Sequence, residues 1–354
     1  MKAHAMHLRS GSEPAAGSPP EGGKPLTISV AIATYNRAAM VQSAIGAALG
    51  QSRPPFEVVV SDDASTDETI LVVGRLAAAD GRVKLLRQPA NSGGVRNWNR
   101  AIEATTGELI AWCSDDDCYR PGHLEASAAY LEQHPEVGLV HSGFVDWIDT
   151  PGEGSVAYRP LRTTAALHVD RRNLFRYLMR YYDWPFHPST IVMRRRVWEQ
   201  VGPFDPAYAL ADTDWFLRAA ERFPVALLAR YGVNNRRHPG NWSNRLGSAR
   251  MQQEIAGIVG KSAGRLYGAL SLRGWMWNQA WRAQARLRLL LTARARVRSG
   301  HAEAACAAWR TIFTLGGPSA ASAWIVRAGE NWLRAGAARG ASRPASARQR
   351  VSPL

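Results

Sequence analysis

Three consecutive carboxylates, Asp115-Asp116-Asp117, follow the apolar run Glu108-Leu109-Ile110-Ala111-Trp112-Cys113, with only Ser114 between. Charges this close repel, so a folded chain holds them at a strand end either solvated, in a turn or helix cap, or neutralised by a cation. In the second case, two of them offer hard oxygen ligands to Mg²⁺ or Mn²⁺, ions that also bridge to phosphate oxygens. A second acidic pair, Asp62-Asp63, follows Phe56-Glu57-Val58-Val59-Val60; it also reads as cap chemistry for a helix opening at Ser65-Thr66-Asp67-Glu68. A third apolar run ends in Thr34-Tyr35-Asn36-Arg37. Gathered at one sheet edge, these loops make a nucleoside site: an aromatic face for a base, carboxylates for base N–H and ribose hydroxyls, and acids for a metal at a diphosphate. Neither G-x-G-x-x-G nor G-x-x-x-x-G-K-[ST] occurs, so the phosphates would be held by metal rather than by a glycine-rich backbone cradle.

The elements that must position these loops are legible as short apolar runs alternating with helical stretches. Strands are expected at Thr27–Ala33, Phe56–Val60, Val83–Leu86 and Glu108–Cys113, with helices to about Leu49, Ala79 and Ile102 between them and Gly107 as a helix C′ residue. That rhythm specifies an open α/β sheet with crossover helices, in which ligands sit at the carboxyl ends of strands. Beyond Pro121 the pattern predicts a helix to His134, a strand over Val137–Val145, a Gly/Pro-rich stretch at 151–160 and a strand over Ser189–Met193. A helix over Asp212–Glu221 and a strand over Val225–Leu228 follow.

Composition suits a globular protein: 354 residues, 46% apolar and 21% charged, with 13 Trp, exclude wholesale disorder. Three cysteines, Cys113, Cys118 and Cys306, do not make a disulfide scaffold and read as free thiols of a reducing compartment. The formal net charge of +15 is concentrated, because residues 251–354 hold 16 Lys+Arg against three acids. An anionic surface would attract such a segment; an Arg- and Ala-heavy composition without a ligand is the plainer reading. No run reaches the roughly 18 uncharged apolar residues of a spanning helix. Residues 1–25 lack the apolar core of a signal peptide and are expected to be a disordered tail, as are residues 344–354.

Five stretches in order, "ISVAIATYNR", "FEVVVSDDASTDET", "NSGGVRNWNRAIEATTGELIAWCSDDD", "PSTIVMRRRVWEQVGPFD" and "ADTDWFLRA", resemble the family 2 inverting glycosyltransferases of the GT-A fold. The resemblance implies a Rossmann-like mixed sheet flanked by helices over residues 26–247, followed by a basic Trp/Arg-rich helical extension at 248–343. It also implies roles at matching positions. Thr34, Tyr35 and Asn36 would line the nucleotide-sugar site with Tyr35 against the base; Asp63 would bind the base and Asp115 the ribose. Asp116 would ligate the divalent metal, Mg²⁺ or Mn²⁺, and Asp212 would be the general base. Relatives often carry Glu where this chain has Ala211, which leaves Asp214 as a competitor for that register. His238, in Arg236-Arg237-His238-Pro239-Gly240, resembles a loop whose His reaches the metal or diphosphate. Trp184, His187 and Asp214 fall on the acceptor side.

The chemistry suits these residue types independently, since inverting transfer is one in-line displacement that needs a base for the acceptor proton and positive charge for the departing nucleoside diphosphate. The expected partners are a nucleotide-diphosphate sugar and a saccharide or lipid-linked acceptor, in bacterial surface polysaccharide or glycolipid synthesis. Within Trp275–Arg298, Trp277 and Trp281 lie one helical turn apart, with Arg282 and Arg286 roughly opposite and Arg288 on the Trp side. Such a helix either packs on the catalytic domain or docks at an anionic membrane surface, which would place the protein in the cytoplasm, peripheral at the inner face of the membrane. The competing reading is a non-catalytic module binding nucleotide or nucleic acid through the basic third, but no nucleic-acid motif accompanies that charge. A nucleotidyltransferase would use similar aspartates yet leaves the Asp212 segment unexplained.

Overall fold

In the computed structural model the described residues are 10–11, 24–148, 155–158, 166–171, 173–174, 187–241 and 248–268, with scattered helical positions between 276 and 334. The chain divides into two compact units, Met1–Pro239 and Gly240–Leu354.

The first unit is built on one mixed sheet. Ser10–Gly11, inside the segment expected to be a disordered tail, form a two-residue strand, β1. The four strands read from the sequence are present as β2 (Ile28–Thr34), β3 (Glu57–Asp62), β4 (Val83–Arg87) and β5 (Leu109–Ser114), all parallel. Their crossover helices are α1 (Ala38–Leu49), α2 (Thr69–Ala79) and α3 (Gly94–Glu103). β2 is buried along its whole length, as β-branched and small apolar residues covered on both faces require. Next come β6 (Cys118–Tyr119), α4 (His123–Gln133), β7 (Leu139–Ile148), β8 (Ser155–Tyr158) and β9 (Ala166–Val169). The unit closes with β10 (Val192–Arg194), α5 (Arg195–Val201), α6 (Ala211–Arg222) and β11 (Val225–Arg237). The sheet order is β1-β9-β11-β7-β10-β5-β2-β3-β4, with β6 on β11 and β8 on β7. β10 runs antiparallel between β5 and β7, which makes the sheet mixed.

Two local expectations are corrected. The strand foreseen over Ser189–Met193 starts only at Val192, because Pro188 opens a single turn of 3₁₀ helix through Thr190. Gly107 does not follow a helix end directly, since α3 stops at Glu103. Its hydrogen side chain serves close approach instead: a Cβ there would lie 2.6 Å from Ser29 Oγ.

Aromatic packing fixes α6 relative to β5. Phe204 sits 4.6 Å from Trp112 of β5 and 5.5 Å from Trp215 of α6, ring centre to ring centre. The Phe204 backbone is clamped on α3, its N–H donating to Asn99 Oδ1 and its carbonyl accepting from Asn99 Nδ2, both at 2.9 Å. Each buried ring contributes roughly 1.5–3 kcal/mol, so this cluster anchors α6 firmly.

At the opposite end of the strands, the Glu57 carboxylate accepts from Ser29 Oγ (2.6 Å), Thr106 N and Oγ1 (2.5 and 2.8 Å) and Lys84 Nζ (2.6 Å). Burial raises its pKa, but Lys84 and the three other donors outweigh that and bring it down to about 2. A carboxylate depressed on folding contributes stability above its unfolded pKa, near 4.3, and that contribution fades as pH falls towards 2. Glu57→Gln therefore costs about 2 kcal/mol at pH 7 in chemical denaturation, and the cost shrinks on acidification to pH 3. A gap between variant and wild type that does not depend on pH would contradict this.

β11 is much longer than the expected Val225–Leu228. It follows β7 in parallel with register breaks around Tyr231, and Gly232 lies where a Cβ would meet His123 Nδ1 and Ser142 Oγ, each at 2.3 Å. This irregularity lets the strand bend past α4 and continue to Arg237.

In the second unit, α7 (Ser248–Tyr267) buries Ile255, Ala256, Ile258, Val259 and Ala263 at helical spacing. Among the described residues no helix is long and apolar enough to cross a membrane. Trp277, Trp281, Arg282 and Arg288 lie outside the described residues, as does Trp184.

Candidate active site

The carboxyl ends of β2, β3 and β5 meet as the alternating pattern requires. The loop after β2 is held rigidly: Asn36 takes a left-handed backbone conformation, φ 52°, its N–H donates to Ser65 Oγ and its Oδ1 accepts from Thr66 N. Arg37 N donates to Thr69 Oγ1. Thr34 is buried, whereas Tyr35 is 44% exposed, an aromatic face presented to solvent at the sheet edge. Asn97 of α3 ties two strand ends together, Nδ2 donating to the carbonyls of Thr34 and Ser61 and Oδ1 accepting from Ser61 Oγ. Asp63 accepts from Ser92 N, Ser92 Oγ and Gly93 N at 2.8–2.9 Å, so its carboxylate already organises the 91–93 turn.

The acidic trio divides into three environments. Asp115 is pushed up to about 7, first by burial, with Arg37 opposing and the Asp116 charge adding to the rise. Asp116 is half-buried, which raises its pKa, but the Arg37 guanidinium and His238 outweigh that and hold it below its ordinary value. Arg37 Nη1 donates to Asp116 Oδ2 and stands 3.4 Å from both Asp115 Oδ1 and His238 Nε2; His238 Nε2 is 3.1 Å from Asp116 Oδ2. Asp117 points inward, 1% exposed, accepting from Ser189 Oγ at 2.5 Å and from Arg236 N at 3.2 Å; burial raises its pKa strongly. It fastens the β5 end to the 187–190 turn and to β11.

β6 explains how distant His238 arrives. Val233 and Asn234 pair antiparallel with Tyr119 and Cys118, and just beyond that short pairing Arg236 N donates to Asp117 Oδ1 and His238 reaches Asp116. Arg236 also lies over the Trp147 ring, 4.2 Å from its centre, and Arg237 Nε is 4.0 Å from Asp146 Oδ1.

His187 is half-buried beside these acids, its Nδ1 3.4 Å from Asp117 Oδ2. Burial lowers its pKa to about 4, against the pull of Asp116, Asp212 and Asp146. Asp212, in the first turn of α6, is half-buried and accepts from Thr213 N at 2.8 Å; burial raises its pKa. Asp214 faces the other way, its Oδ2 accepting from Arg218 Nε at 2.8 Å, while Arg218 caps the carbonyls of Val201 and Pro203. Of the two acids in the Ala211-Asp212-Thr213-Asp214 stretch, Asp212 thus shares surroundings with His187, and Asp214 belongs to an ion pair that braces α6.

Among the described residues no group of three or more His, Cys, Asp and Glu stands arranged to hold a metal. By type, two carboxylates and an imidazole suit a divalent ion, and here a cationic nitrogen, Arg37 Nη1, hydrogen-bonds Asp116 and stands 3.4 Å from Asp115 Oδ1 and His238 Nε2. Arg37, Asn97, Asp117 and Ser189 all lie within the matching stretches, but the contacts they make have no signal in the sequence short of the fold.

Residues 29–202 match the model for Glycosyl transferase family 2 and belong to that family. The fold is GT-A. An uncharacterized glycosyltransferase of Nostoc sp. is 31% identical over 183 residues, 51% of this chain and 55% of the relative, so the chain spans little more than half of that protein. Among solved structures, Staphylococcus aureus TarS residues 1–349 in complex with UDP-GlcNAc superposes with a TM-score of 0.58 at 17% identity, covering 81% of this chain and 82% of TarS. The mannosyltransferase PcManGT from Pyrobaculum calidifontis, in complex with GDP-Man and Mn²⁺, gives 0.53 at 19%, covering 92% and 89%. At these identities the superpositions speak to fold alone.

Proposed function

We propose that the protein is a metal-dependent inverting glycosyltransferase that moves a sugar from a nucleoside-diphosphate donor to a hydroxyl of a saccharide or lipid-linked acceptor, in surface polysaccharide or glycolipid synthesis. The observation that carries this reading is the convergence of Asp115, Asp116 and His238 on the Arg37 guanidinium, with Tyr35 exposed at the same strand edge and Asp212 close enough to His187 for its charge to be felt there. Tyr35 offers its face to the base, and Asp63 and Asp115 offer carboxylate oxygens to base N–H and ribose hydroxyls. Asp116 and His238 would hold the divalent ion, which when bound supplies positive charge against the departing diphosphate. Asp212, with no cationic side chain among the described residues hydrogen-bonded to it and a raised pKa, accepts the acceptor hydroxyl's proton as that oxygen attacks the anomeric carbon. Relatives of this fold have been crystallised with UDP-GlcNAc and with GDP-Man and Mn²⁺, which makes a nucleotide donor the natural choice.

The test is a thermal-shift and calorimetric scan of UDP, GDP, CDP and dTDP, each with and without Mn²⁺. The expected result is stabilisation by one nucleotide that depends on Mn²⁺, of about 2–3 kcal/mol at a hundredfold excess over Kd. No response to any nucleotide from well-folded protein would overturn the transferase reading and favour a binding module acting through the basic third.

A further inference from the structure

The Arg37 guanidinium occupies the place where a divalent ion would be needed. Its Nη1 hydrogen-bonds Asp116 Oδ2 and stands 3.4 Å from Asp115 Oδ1 and 3.4 Å from His238 Nε2. Those three atoms are the candidate cation ligands, so Arg37 and a metal cannot hold them together, because two cations that close repel. We propose that Arg37 is the resident counter-ion of this position, and that a divalent ion enters by displacing its side chain, which then pairs with the nucleotide's diphosphate. This rests on the metal and nucleotide reading above.

Three features fit a swinging side chain on a fixed base. The backbone of Arg37 is pinned by its N–H bond to Thr69 Oγ1, and the residue lies at the N-terminal boundary of α1. It is two residues from Tyr35, so a guanidinium released from the acids stays beside the nucleotide. Its planar fork suits phosphate oxygens as well as carboxylates, so the exchange of partners loses little. Without Arg37, the neighbouring carboxylates of Asp115 and Asp116 would stand together with one fewer positive charge to oppose theirs. The arrangement therefore makes metal and nucleotide binding mutually dependent: the ion alone must separate Arg37 from the two carboxylates, whereas the ion arriving with a diphosphate gives Arg37 a new anion.

The experiment measures Mn²⁺ binding to the full chain by electron paramagnetic resonance and calorimetry, with and without the nucleotide that stabilises wild type. Wild type is expected to bind Mn²⁺ weakly alone and at least tenfold more tightly with nucleotide. Arg37→Met is expected to bind Mn²⁺ alone about tenfold more tightly than wild type does, and to lose a matching share of the coupling, as reciprocity demands. Arg37→Gln, neutral yet able to hydrogen-bond Asp116, carries the same expectation should the methionine variant not fold. Variants that bind Mn²⁺ alone no better than wild type, while nucleotide-dependent Mn²⁺ binding persists, would sink the role of Arg37 and leave the transferase reading standing. Absence of Mn²⁺ binding to every protein, with or without nucleotide, would sink both.

Discussion

Asp212→Asn lowers the rate of sugar transfer by about 10³-fold while leaving nucleotide binding within twofold of wild type. The amide keeps the shape of the carboxylate and can still accept from Thr213 N through Oδ1, so α6 keeps its first turn. What it removes is the lone pair that takes the acceptor proton. The contrast with Asp214→Asn makes the test specific. That substitution leaves Arg218 Nε without its anion and loosens the brace to Val201 and Pro203, so it lowers stability by about 1–3 kcal/mol. Turnover of the folded protein stays within a few-fold. The pH profile adds a second readout. Burial raises the pKa of Asp212, so the acidic limb of kcat is displaced upward from the ordinary Asp value, and the residual rate of Asp212→Asn lacks that limb. Because the folded pKa lies above the unfolded one, the ionised carboxylate also costs the fold stability, a cost relieved as pH falls through the folded value. Retention of a tenth or more of the wild-type single-turnover rate by Asp212→Asn, or a larger loss in Asp214→Asn, would move the base elsewhere.

Asp116→Ala is the second large effect: Mn²⁺-dependent stabilisation by nucleotide disappears, and transfer falls by about 10²–10⁴-fold, the several kcal/mol that a bound ion's charge supplies to a departing diphosphate. Asp116 is singled out among three neighbours by its surroundings. It alone of the trio is held below its ordinary pKa, an anion at neutral pH facing Arg37 and His238, whereas Asp117 is consumed by Ser189 and the Arg236 backbone. Asp117→Asn should therefore act through stability and leave the metal response in place. A wild-type Mn²⁺ response in Asp116→Ala would remove it from the ion's ligands.

The strand ends were legible because each is announced by a buried apolar run, and burial on both faces of a parallel strand leaves little choice of residue. The acids at those ends were legible for the same reason: polar residues directly after such runs must lie on the carboxyl edge. Asp212 and His238 were reached only through resemblance, since nothing in local spacing ties either to residue 116. The division of labour within Asp115-Asp116-Asp117 could not be read, because it depends on Ser189, Arg236 and Arg37 arriving from other segments. The length of β11 escaped for a related reason: its polar second half, Asn234-Asn235-Arg236-Arg237, is strand only because β7 and β6 supply its partners.

The pairing of β11 with β6 also bears on the order in which the molecule comes together. The bonds from Arg236 to Asp117 and from His238 to Asp116 close loops of 119 and 122 residues. Contacts so remote form late, after the entropy of a long intervening chain has been overcome, and during synthesis the acids emerge well before their distal partners exist. Arg37 precedes them on the nascent chain, 79 residues from Asp116, and is available as soon as β2 and β5 align. The first half of the sheet can therefore fold with its acidic edge already neutralised. The Asp116–His238 contact is completed only when β11 docks, so a chain halted before residue 238 would hold the acids without that imidazole.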